Sequence, residues 1–136
     1  MKIHYTIIIL GMFFISTTAS SQNIQTTTIE WNCSSTFDAS KGVITDETTK
    51  IVSSVDQIVW YDSNGVARKT LTITDKSGSW NNVSANGSID FNITSGNQVG
   101  IVQFFRTGGI ARVRIHLVES DESQIYEMVV DNLRAL

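Results

Sequence analysis

Histidine and cysteine are scarce in this chain of 136 residues, which has two of the first and one of the second. A hydrolytic nucleophile is usually activated by a neighbouring histidine, and a zinc ion is usually held by several nitrogen and sulfur ligands. His4 lies in a leader-like N-terminus, so the rest of the chain offers only His116 and Cys33. That pair cannot complete a zinc site, and one cysteine cannot close an internal disulfide. No Gly-rich loop runs into a helix, so phosphate cradles and dinucleotide sites have nowhere to form. There is no basic excess either: 10 Lys and Arg stand against 13 Asp and Glu, a balance that argues against nucleic acid and anionic membranes as partners. The carboxylate pairs Asp46-Glu47 and Asp121-Glu122 sit in polar turns, where solvated charge is the ordinary reading. Acid–base chemistry would want one such group buried with a raised pKa. The expectation is a protein without enzymatic activity, metal or cofactor.

Long apolar runs are missing too, with one short exception. Lys2 precedes an apolar stretch from Ile7 to Ile15 that ends at Ala19-Ser20-Ser21. Positive charge, roughly ten apolar residues and then small residues is the layout of a secretory signal peptide, and the stretch is about half what a membrane span requires. Residues 1–21 are therefore expected to be removed by a cut before Gln22, a cut after Ala19 being the alternative. No cysteine follows the apolar run directly, which disfavours lipid anchoring. The expected location is secreted or extracytoplasmic, in the periplasm or at the cell exterior, without stable membrane insertion. Removal leaves nine Lys and Arg against thirteen Asp and Glu. Residues 22–136 then form one domain, long enough to bury about two-thirds of its unfolded surface.

Short segments of alternating apolar and polar residues, rich in Val, Ile, Thr and aromatics, fill that remainder. The pattern predicts nine strands near residues 27–37, 42–46, 49–55, 57–62, 66–75, 87–94, 98–106, 110–119 and 124–132. Compact separators imply antiparallel neighbours. The fold class is all-β: a single antiparallel β-sandwich, jelly-roll-like, or a small β-barrel of about eight to nine short strands. Several strands look short for a ligand-holding barrel, which favours the sandwich. Residues 130–134, Val-Asp-Asn-Leu-Arg, resemble the last strand of some jelly-roll carbohydrate-binding modules. No residue roles follow from that resemblance. The tail also has helical spacing, with Ile125, Met128, Val129, Leu133 and Leu136, but Tyr126 and Val129-Val130 favour a strand.

Two turns set the expected pairing. A two-residue turn at Asn64-Gly65 pairs Ile58 with Leu71 and Trp60 with Lys69 on the core side, and Tyr61 with Arg68 on the other. A type I turn with a bulge would shift that register. Gly108-Gly109 likewise pairs Phe104 with Val113 and Val102 with Ile115. The face opposite that apolar one carries Phe105, Arg112, Arg114 and His116. In the first strand, Ile29, Trp31, Cys33 and Phe37 share one face, with Cys33 a buried thiol; an exposed one could form an intermolecular disulfide.

Function is legible only as a class. The leading expectation is a secreted, non-catalytic binding or adhesion module directed at an extracellular ligand such as a glycan or another protein. Alternatives are a small lipocalin-like barrel carrying an apolar ligand and a structural subunit that assembles through sheet edges. Arg112 and Arg114 could pair with carboxylates or anionic sugars, with Phe105 giving apolar contact and His116 beside them. Trp80 lies in a polar loop, Ser77-Gly78-Ser79-Trp80-Asn81-Asn82, and would either contact ligand or fold back to plug an end of the domain. The triplets beginning at Asn32, Asn82, Asn86 and Asn92 are glycosylation acceptors in a eukaryotic secretory pathway.

Overall fold

A computed structural model describes residues 23–136, and the expected signal peptide lies outside the described residues. All nine predicted segments form strands: β1 (Ile29–Asp38), β2 (Val43–Thr45), β3 (Thr49–Ser53), β4 (Gln57–Tyr61), β5 (Ala67–Ser77), β6 (Gly87–Ser95), β7 (Gln98–Thr107), β8 (Ile110–Glu119) and β9 (Glu122–Ala135). The tail is a strand, with no helix among the described residues. From β3 onward each strand pairs antiparallel with the next, β1 pairs with β3, and β9 returns to pair with β1 along most of its length. The result is an eight-stranded closed barrel of β1 and β3 to β9, not the sandwich that the strand lengths favoured. Its simple meander is not a jelly roll. β2 pairs only with the end of β1, just ahead of β3 on the same edge.

Eight strands enclose a space that side chains alone can fill. Here Trp31, Trp60, Phe91 and Phe104 fill it, all at 1% exposure or less. Trp31 lies 4.8 Å from Phe104 and Phe104 lies 5.8 Å from Phe91, centroid to centroid, in tilted and edge-on contacts. The buried Trp31 indole donates to Ser53 Oγ at 2.9 Å. Cys33 is buried as expected, and desolvation pushes its thiol up to about 12. It has no access to a partner thiol.

One end of the barrel is plugged. Ile24, Trp80 and Val83 close it, and the indole Nε1 of Trp80 donates to the Ala85 carbonyl at 3.0 Å. Gly87 is required beneath that ring, because a Cβ there would run into the Trp80 indole. At the opposite end, here termed the mouth, lie the turns after β1, β4, β6 and β8.

Two irregularities shape the mouth. The β1–β9 register shifts between Cys33 and Ser35, and with a side-chain period of two such a shift exchanges the faces. Thr36, not Phe37, consequently points into the barrel, and Phe37 is 41% exposed, which corrects the expected face of β1. The second irregularity lies beyond the β4–β5 turn. Ile58 opposes Leu71 and Trp60 opposes Lys69 as expected, but Tyr61 opposes Ala67. Asp62 Oδ1 accepts from the Asn64 and Val66 amides, and among the turn residues only Gly65 takes a positive φ. The turn is thus the bulged alternative, and Arg68 becomes an extra residue in β5. The Gly108-Gly109 hairpin forms as expected, with positive φ at both glycines.

Candidate functional site

The five residues singled out in the sequence separate into two groups. Trp80 is 3% exposed and packs 6.1 Å from Trp31, so it belongs to the end plug and is not offered to a surface ligand. Phe105, Arg112, Arg114 and His116 do share the outer face of β7 and β8. Their polar groups, however, are already engaged. Arg114 donates to Glu127 Oε2 from Nε at 3.2 Å and from Nη2 at 2.8 Å, and its guanidinium lies 5.4 Å from the Phe105 ring centre. Arg112 Nε is 3.7 Å from the other oxygen of the same carboxylate. His116 Nε2 lies 2.6 Å from Ser123 Oγ.

The His116–Ser123 contact has the composition of a nucleophile and its base, but lacks the third group that would orient the imidazole. No hydrogen bond from His116 to a carboxylate exists among the described residues, and the pair sits on the convex outer wall beside Ile101 and Ile125. Near Phe105, an open depression of about 350 Å³ runs over Ser88, Gln103 and Thr107. Its shape is that of a shallow trough.

The mouth is a different environment, and it was not foreseen. A cavity of about 80 Å³ opens there, lined by Thr36, Thr45 and Thr49 and by the acidic residues Asp38 and Glu47. Arg68 and Tyr126 complete its wall. The bulge in β5 is what places Arg68 in this position: by alternation it would point outward with Thr70, but as the extra residue its guanidinium lies over the Trp60 ring, 4.3 Å from the centre. It is also 5.9 Å from the Tyr126 ring, which meets Trp60 edge-on at 5.0 Å. Stacking holds the planar cation in place while leaving its N–H edge free. No hydrogen bond or ion pair engages that edge among the described residues.

Two buried polar atoms near this end find no partner within the protein, Thr36 Oγ1 and Trp60 Nε1, while Thr49 Oγ1 is buried beside the Cys33 thiol. Buried donors and acceptors are normally paired, and one left alone costs about 1–3 kcal/mol. Asp38 is partly engaged, since its Oδ1 accepts from the Ser40 and Lys41 amides. Lys69 reaches Gln98 Oε1 at 2.6 Å across the same end. Hydroxyls, carboxylates, a guanidinium and aromatic rings therefore converge on one small opening. The signal that could have pointed to it was the bulged alternative for the Asn64-Gly65 turn, which changes the direction of Arg68. The chain matches no protein-family model, and no curated protein or solved structure is detectably similar to it.

Proposed function

We propose that this chain is a non-catalytic binding or adhesion module that works outside the cytoplasm and is directed at carbohydrate or another extracellular surface. One observation carries the reading: the barrel axis is filled by Trp31, Trp60, Phe91 and Phe104, so the groups free to meet a ligand lie at the mouth and on the outer wall. The same filling weighs against the lipocalin-like carrier, whose ligand needs a chamber of several hundred Å³. Pairing of β1 with β9 weighs against assembly through sheet edges, because among the described residues the unpaired edges are short, such as the three-residue β2 and the end of β5 beyond Ile73. The engaged state of His116 and its place on a convex wall favour binding over hydrolysis.

A parallel screen of the purified protein on a glycan array, on immobilised extracellular matrix proteins and with a fluorescent fatty acid tests the reading. Binding to a glycan or a protein surface, with no uptake of the fatty acid, is the expected result. Saturable fatty-acid uptake with no surface binding would overturn it.

A further inference from the structure

We infer that the barrel mouth is a saccharide site, in which the cavity bounded by Thr36, Asp38, Glu47, Thr49 and Arg68 takes the edge of an uncharged sugar ring. The inference rests on the binding reading above and specifies its site and ligand class. Sugar hydroxyls both donate and accept, and the mouth offers partners of both kinds. Asp38 and Glu47 accept, Arg68 donates, and the threonine hydroxyls do either. Thr36 is the most telling of these: it lines the cavity at 8% exposure, and its Oγ1, buried just behind that wall, is unpartnered in the protein. Thr49, on the neighbouring strand β3, lines the same cavity, with its Oγ1 buried beside the Cys33 thiol.

Charge decides between ligand classes. Two carboxylates against one guanidinium make the lining net negative, so an acidic ligand would gain one ion pair and meet two like charges. A cationic ligand would have to compete for the Trp60 face with Arg68, which already occupies it at 4.3 Å. A neutral polyol meets neither obstacle. The volume of about 80 Å³ holds several water molecules' worth of polar atoms, which suits one edge of a ring with the remainder projecting outward.

The test is an amide and indole NMR titration of the purified protein with neutral monosaccharides and their short oligomers, glucuronate serving as the charged comparator. Expected are saturable shifts at Thr36, Thr49, the Trp60 indole N–H and Arg68, and glucuronate weaker by about tenfold or more than the best neutral sugar. Arg68→Ala and Thr36→Val should each weaken binding by about tenfold. Thr36→Val carries a second readout that separates a ligand-binding hydroxyl from a structural one: it should raise the melting temperature while lowering affinity. Tighter binding of glucuronate overturns the neutral-sugar assignment. Sugar binding whose shifts fall on β7 and β8 and survives both substitutions overturns the mouth but leaves the binding function standing. Absence of any saccharide shift also overturns the inference, and the array with its protein ligands then decides the broader function separately.

Discussion

Thr36 and Trp80 represent opposite uses of a single position. Trp80 looked like a ligand-facing aromatic because its flanks are Ser, Gly and Asn, yet its ring is held inside by Trp31, by the Ala85 carbonyl and by the bare backbone of Gly87. Gly87→Ala should therefore destabilise the domain by about 1–3 kcal/mol, the usual cost of overpacking a tight site, measured by urea denaturation. A loss below a few tenths of a kcal/mol would mean that the indole moves aside freely. Thr36→Val should act in the other direction. Exchanging an unpartnered buried hydroxyl for a methyl of similar shape removes a desolvation cost of about 1–3 kcal/mol, and a domain of this size converts each kcal/mol into a few degrees of melting temperature. A fall in melting temperature would show that the hydroxyl supports the fold. Neither position was legible from local sequence. Polar flanks say that a loop is solvated, not which way its one large ring turns, and the environment of Thr36 depends on a register shift two residues earlier.

At the scale of strands, alternation made nearly everything readable except where it breaks. The interior faces of β7 and β8 appear as expected, since the Gly108-Gly109 turn fixes their register and every second residue is apolar. β1 was legible up to Cys33 and not beyond, because a bulge adds a residue without any change in composition. The same limit applied to β5, where the added residue is Arg68 and the consequence is the mouth site itself. The seam that closes the barrel is likewise tertiary in origin. Glu30 on β1 meets Arg134 on β9 at 3.1 Å, with Asn32 donating to it at the same distance and Lys50 of β3 nearby. Hydrogen bonds from Arg134 and Asn32 hold the Glu30 carboxyl below its ordinary value of 4.5. A carboxylate with a lowered folded-state pKa stabilises the fold above its unfolded pKa and loses that contribution as pH falls through the folded value. Glu30→Gln should therefore lower the melting temperature at pH 7, and the gap to the parent protein should narrow as the pH drops below about 4.5. A gap independent of pH would assign the effect to packing instead of charge.

For the molecule as a whole, the closed meander and its filling are separable properties. Closure follows from the number of strands and from β9 reaching β1, whereas filling follows from which residues occupy the inward positions. The sequence showed an inward set rich in Trp and Phe, but closed barrel and packed sandwich place such residues equally well in a core, so the architecture became decidable only with the β1–β9 pairing. If the aromatic rings alone keep this barrel from acting as a carrier, removing one should create that capacity. Phe91 is 1% exposed and stacks edge-on with Phe104, so Phe91→Ala should cost about 3–5 kcal/mol. That is a large share of the roughly 5–15 kcal/mol that stabilises an ordinary domain. The apolar space left behind should admit a small aromatic molecule such as benzene. The expected observation is that benzene raises the melting temperature of the Phe91→Ala protein, since a ligand that binds only the folded state stabilises it increasingly as its concentration exceeds the dissociation constant. The parent protein should be indifferent to benzene. If the parent were stabilised as strongly as the variant, the barrel axis would already hold a usable chamber, and ligands would not be confined to the mouth and outer wall.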